Sequence, residues 1–302
     1  AHASVGTLHI RPVLNMKSDE DIKKMKSISQ EAFEMVKNYK GSHSGEHGDG
    51  IVRSEFHEMM FGKKIINAFE EIKDIFDNKN LLNPGKIVRP YKSNDRSLMR
   101  YKSGYQANNI NTHYDWSNWG QFSDAVEMCN NNGACRKLDS GVMCPSYRVT
   151  KEEKDLVRGR ANTLRLALSN QLPEGSFASK DMYETMELCV SCKACQRECP
   201  MSVDMAKMKS EFLSHYYKKF SMPIKDRVIS NMPRLIWLLK IIAPTFNKVK
   251  NLPLISTIVN KFGFATEREM PEVQSQDALK EIYNSQPVSE NKVILFADTF
   301  NI

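Results

Sequence analysis

The stretch Cys189-Val190-Ser191-Cys192-Lys193-Ala194-Cys195-Gln196-Arg197-Glu198-Cys199-Pro200 decides how this chain is read. Its spacing is C-x2-C-x2-C-x3-C-P. Three thiolates so placed wrap three corners of an iron–sulfur cubane, and the fourth, set against a proline, turns away toward another cluster. Zinc also accepts four thiolates, but its sites use two separated C-x2-C knuckles rather than three cysteines in one tight run. The spacing therefore predicts a [4Fe-4S] cluster on Cys189, Cys192 and Cys195.

A second cysteine group lies upstream, at Cys129, Cys135 and Cys144-Pro145. A full run would carry a cysteine at position 132, where Asn132 stands. By the cross-ligation rule, Cys144 supplies the fourth thiolate to Cys189, Cys192 and Cys195. The alternative pairing closes that cluster with Cys199. Cys129, Cys135 and Cys199 would otherwise hold a three-iron cluster, a cluster with a non-cysteine ligand, or nothing. Seven clustered cysteines and no secretory signal predict metal binding in a reducing, cytoplasmic setting rather than disulfides.

With 302 residues the chain has room for two domains. Its 41% hydrophobic and 26% charged residues are ordinary for a globular protein. The net charge of +7 is dispersed among 36 acids, which argues against a nucleic-acid partner. No apolar run approaches a membrane span. The best candidate, Leu235–Ala243, is broken by Lys240. The basic, proline-punctuated stretch 224–264 leaves peripheral membrane contact open. Both ends read as cut, so the expectation is a fragment of a longer polypeptide.

Residues 1–14 read as a short strand pair turning at Gly6-Thr7. Ser18 should open a helix with Ile22, Met25, Ile28, Ala32, Phe33, Val36 and Tyr39 in period. A Gly/Ser/His-rich loop covers 41–50, a helix roughly 58–77, and Asn83-Pro84-Gly85 a turn. Residues 1–90 thus form a compact α+β unit, and 91–120 an extended connector. A helical iron–sulfur domain follows at 121–222. Within it, Thr150-Lys151-Glu152-Glu153 reads as a capping box opening a helix through Leu168. A helical and loop-like extension occupies 223–290. Residues 291–302 read as a buried strand starting a further redox domain.

Two features of the first unit carry chemistry. His2 and His9 would face opposite sides of a straight strand, but a turn at Gly6 lets them converge. In Gly45-Glu46-His47-Gly48-Asp49-Gly50, glycines let the backbone approach a ligand, and a carboxylate beside an imidazole suits metal ligation and proton transfer.

These pieces, with Arg53-Ser54-Glu55 and Leu82-Asn-Pro-Gly-Lys86, resemble the C-terminal lobe of FAD-linked oxidases of the D-lactate and D-2-hydroxyglutarate dehydrogenase type. The continuation resembles the members of that group fused to a bacterial-ferredoxin-type iron–sulfur domain. It includes Arg100-Tyr-Lys-Ser-Gly104, Met128-Cys-Asn-Asn-Asn-Gly-Ala-Cys135, Met143-Cys-Pro-Ser-Tyr147 and Arg158-Gly-Arg-Ala161. The resemblance implies an α+β lobe with a ferredoxin-like half, then a mainly α-helical iron–sulfur domain, with FAD held mostly by a domain upstream of Ala1.

It further implies that His2, His9 and Glu46 bind a divalent metal, zinc or manganese, which grips a 2-hydroxy acid. His47 is the expected base. Arg11, two residues past His9, is placed to clamp a second carboxylate, which favours 2-hydroxyglutarate over lactate. Electrons would pass from FAD through the cluster to a downstream acceptor. The competing expectations are a non-catalytic electron-transfer module and a structural zinc protein.

Overall fold

The computed structural model describes residues 2–265, 267, 272–274, 280, 281 and 284. It divides into two compact units, residues 1–108 and 109–302.

The first unit is helical. Ser18 caps α1 (Asp19–Asn38), its hydroxyl accepting from the Asp21 N–H, and three acids in the first turn complement the helix dipole. Ile22 is the fully buried residue of this helix, and Phe33 packs edge-on against Phe56 at 4.8 Å. The glycine-rich loop leads into α2 (Gly50–Ser54), followed by α3 (His57–Phe61) and α4 (Lys63–Phe76). The single helix expected over 58–77 is thus two, broken at Gly62. On α4, Ile65, Ile72 and Phe76 are exposed.

The expected α+β character is not seen among the described residues. Among the described residues there is no named strand, and the predicted pair at 1–14 is reduced to one bridge, His2 with Thr7. An isolated two-stranded ribbon is marginal without a further strand or a packed face. Here Ile10 and Val13 stay exposed. The turn at Asn83-Pro84-Gly85 forms as expected.

The second unit is built around α7 (Val157–Leu168). Its buried positions Val157, Arg160, Ala161, Leu164 and Leu168 recur at the helical period. Against this stripe pack α5 (Phe122–Glu127), α8 (Lys180–Glu187) and α10 (Met205–Lys219). Phe122, Val126, Leu164, Met182, Met186, Met208 and Phe212 fill the shared core, each contributing roughly 1.5–3 kcal/mol by leaving water.

The predicted capping box does not form. Thr150 ends α6 (Pro145–Thr150), and Lys151 takes a left-handed conformation at φ 61°. That reversal carries Thr150 away from the next helix, so Glu153 pairs with Arg158 instead, at 2.6 Å. The intervening 3-10 turn Glu153–Asp155 lies directly on α7. A Cβ on Gly159 would stand 2.0 Å from the Glu153 carbonyl oxygen. That close approach gives the glycine of Arg158-Gly-Arg-Ala161 a physical reason.

Segment 113–116, expected within an extended connector, is tied to α10 through Glu211, which is wholly buried. Its carboxylate accepts from the N–H groups of His113 and Tyr114 at 2.9 and 3.0 Å and from Trp116 Nε1 at 3.1 Å. Downstream, α11 (Ile224–Val249) contains Pro233 and Pro244, and α12 spans Pro253–Lys261. No helix among the described residues is long and apolar enough to cross a membrane. The strand expected at the C-terminus lies outside the described residues.

Candidate functional site

In the first unit, His2 and His9 converge as the turn at Gly6 predicts, their Nε2 atoms meeting directly. The ring of His47 stands 5.3 Å from that of His2 and 5.2 Å from that of His9, centre to centre. Glu46 Oε1 lies 2.5 Å from His2 Nδ1 and 3.7 Å from His47 Nε2. One ligand atom from each of the three histidines fits within 4.8 Å of the others. Gly45 sets the loop here. At φ 55°, with a would-be Cβ 3.1 Å from Thr7 Oγ1, it lets the loop lie against the 2–9 segment.

Desolvation, followed by the neighbouring charges of His2 and His47, lowers the pKa of His9. Its imidazole is therefore biased to the neutral form that can ligate a cation. Arg11 is exposed, and its charge adds to the same lowering at His9.

In the second unit, Cys144, Cys189, Cys192 and Cys195 line one cavity, together with Arg160 and the start of α10. Cys144 sits at φ 54° before α6, and its Sγ accepts the Val157 N–H at 3.3 Å. Burial pushes its thiol up to about 12, with that N–H pulling the other way. Cys195 opens into the same space from α9 (Ala194–Glu198). Burial raises its thiol too, while the N–H groups of Met205 and Ala206, in the first turn of α10, favour the thiolate.

Cys129 and Cys135 are buried and electrostatically coupled to each other and to Arg158. Burial raises the thiol of Cys135. Cys199, at the end of α9, is half-buried against the same core. Asn132, in the position a cysteine would take, instead accepts the Ala134 N–H at 2.8 Å through its own Oδ1.

Three residues that sequence reasoning missed hold the cysteine loops. Glu198 accepts from Val142 N–H at 2.9 Å and Met143 N–H at 3.2 Å, tying the segment before Cys144 to α9. Those backbone donors, Val142 foremost, lower its pKa. Lys209 of α10 donates to the carbonyl of Cys189 at 2.6 Å, and burial lowers its pKa. Arg160, buried at the cavity wall, donates to the Thr185 carbonyl at 2.9 Å and to Ser146 Oγ at 3.2 Å. Their partners are mostly backbone atoms distant in sequence, which leave no spacing to read.

Two groups of donors thus stand ready, imidazoles with a carboxylate in one unit and paired cysteine loops in the other. Comparison with known proteins gives the class of each. Residues 1–87 match the family of FAD linked oxidases, C-terminal domain, and residues 125–203 match the 4Fe-4S dicluster domain.

The particular relatives are consistent with that pairing. The chain is 30% identical to a D-2-hydroxyglutarate dehydrogenase of Haemophilus influenzae over 93% of its own length and 30% of the relative's. It is 28% identical to the protein of the same name from Escherichia coli, over 86% of this chain and 29% of the relative. The glycolate oxidase subunit GlcD of Bacillus subtilis matches at 33% identity over 28% of this chain and 18% of that one. The chain spans about a third of the length of the first of these relatives. No solved structure matches it.

Proposed function

We propose that the whole polypeptide oxidises a D-2-hydroxy acid, of the 2-hydroxyglutarate or lactate type, to the 2-oxo acid. Electrons would leave through FAD and then a [4Fe-4S] cluster to a downstream acceptor. The observation that carries this reading is the convergence of His2, His9 and His47, with Glu46 held against the other ring nitrogen of His2, in a chain whose second unit sets four cysteines around one cavity.

The donor chemistry fits a divalent ion of the zinc or manganese class on His2, His9 and Glu46. Bound there, such an ion supplies a Lewis acid that lowers the pKa of the substrate hydroxyl. His47 would accept the hydroxyl proton on its imidazole, and Glu46 Oε1, 3.7 Å from its Nε2, would stabilise the resulting imidazolium. Arg11 binds the distal carboxylate of a dicarboxylate substrate. FAD supplies the two-electron acceptor, which the upstream part of the polypeptide would hold.

The four cysteines Cys144, Cys189, Cys192 and Cys195 fit a cubane better than a zinc ion. Tetrahedral zinc–thiolate bonds put sulfurs about 3.8 Å apart. Among the described residues no three cysteine sulfurs lie within 4.8 Å of one another. The bound cluster supplies a one-electron relay. Cys129, Cys135 and Cys199 remain the candidates for a second cluster.

The test is anaerobic mixing of the full-length protein with D-2-hydroxyglutarate and D-lactate, followed by flavin absorbance and EPR. Bleaching and then a reduced-cluster signal are expected, with His47→Ala slowing reduction by about 10²-fold or more. Unchanged reduction in that variant would leave only the electron-transfer module.

A further inference from the structure

We infer that His43, Asp49 and His57 form a second divalent-cation site, separate from His2, His9 and Glu46 and independent of the activity proposed above. The three residues bracket the glycine-rich loop. His43 lies just before it, Asp49 at its end, and His57 opens α3. Both imidazoles are buried, with side-chain exposures of 1% and 3%. Asp49 Oδ1 stands 3.6 Å from His43 Nε2, and Asp49 Oδ2 stands 3.1 Å from His57 Nε2. All three donors fit within 4.8 Å.

Three features distinguish this cluster from a satisfied polar core. First, His43 Nδ1 and Nε2, Asp49 Oδ1 and His57 Nε2 are all buried without a hydrogen-bond partner. Buried polar atoms are rarely left so, and such a group invites an ion or a water. Second, His57 Nδ1 faces the Ile87 carbonyl at 3.4 Å. A proton on Nδ1 leaves the Nε2 lone pair facing a carboxylate, and two such acceptors need either a second proton or a metal cation between them. A backbone carbonyl on the far nitrogen is also the usual outer-shell partner of a metal-ligating histidine. Third, the spacing suits the ion. Zinc–nitrogen bonds of about 2.0–2.1 Å in tetrahedral array put neighbouring donors about 3.3 Å apart, between the two separations observed here.

Two imidazoles and one carboxylate select a borderline cation such as zinc over calcium or magnesium. The rings of Phe33 and Phe61, 5.2 and 5.9 Å from that of His43, surround it with an apolar shell that strengthens the attraction. Bound there, the ion would staple both ends of the loop carrying Glu46 and His47 to α3.

Zinc bound per chain, after equilibrium dialysis of the cluster-loaded full-length protein, tests this. Iron is counted alongside to show that the clusters stay intact. The expected result is two zinc ions in the wild type, one in the His43→Phe/His57→Gln variant, one in His2→Ala, and none in the combination. A single ion in the wild type that His2→Ala removes would overturn the inference, as would an unchanged two in His43→Phe/His57→Gln. A single ion that only the His43/His57 variant removes would uphold it and instead sink the metal reading of His2 and His9. Should the double variant lose its fold, zinc X-ray absorption on His2→Ala decides. Imidazole and oxygen scattering support the site, whereas sulfur scattering or no zinc refutes it.

Discussion

The backbone N–H of Val157 donates to Cys144 Sγ at 3.3 Å, thirteen residues on, so the first turn of α7 supports the sulfur that closes the cysteine cavity. A thiolate that receives a peptide N–H is a better ligand for a cluster whose charge is negative. Cys144 lines one cavity with Cys189, Cys192 and Cys195, and the proposed cluster groups the four. Cys144→Ser and Cys192→Ser should each lower iron per chain by the same amount and weaken the same EPR signal. Cys135→Ser should leave that signal in place. A Cys144→Ser protein with undiminished iron would contradict the grouping.

Glu211 satisfies three donors from segment 113–116 while wholly buried. Glu211→Ala would leave those donors unpaired, each costing about 1–3 kcal/mol. A loss of about 3 kcal/mol or more is expected in urea unfolding. Because Trp116 is one of the donors, its fluorescence should shift toward the solvent-exposed value in the native baseline.

Gly159→Ala places a methyl where only 2.0 Å separates it from the Glu153 carbonyl oxygen. The 3-10 turn must move off α7, at a cost of about 1–3 kcal/mol. Thermal unfolding should show it. Ala161→Gly, on the same helix without that contact, should cost only about 1 kcal/mol through helix propensity together with a small cavity.

Asp77 ends α4, and Lys73 foremost, then the N–H groups of Leu81 and Leu82, lower its pKa from 3.8 to about 2. The folded value lies below the unfolded one, so the charged carboxylate adds stability that is fully present above about pH 4. It is lost as pH falls toward 2. The stability gap between wild type and Asp77→Asn should be constant near neutrality and close across that acid interval, measured by urea midpoints at a series of pH values.

What could be read beforehand was whatever repeats at short range. The C-x2-C-x2-C run, the Ser18 cap and the Asn-Pro-Gly turn each place their partners within a few residues. The Gly6 turn that joins His2 to His9 belongs with them. The contacts that failed to show were long-range and one-sided. Glu198, Lys209 and Glu211 meet backbone groups, which have no identity in a sequence. His43 and His57 resemble ordinary residues in a helical neighbourhood until the fold sets them on either side of Asp49. The capping box at Thr150 misled because its letters were right while the left-handed Lys151 turned the chain elsewhere. The α+β expectation rested on the strand pair read at 1–14 and on the family resemblance, and one bridge is all that forms at 1–14 among the described residues.

Around the cysteines, Asn131, Cys144, Ser191, Lys193 and Ser202 all adopt left-handed backbone conformations. Such conformations cost roughly 1–2 kcal/mol apiece for residues with a side chain. Without sulfide and thiolate charge there, nothing offsets that cost, and burial raises the thiols of Cys144 and Cys195. The arrival of iron, rather than the completion of synthesis, would then be the moment at which this half of the molecule takes its final form.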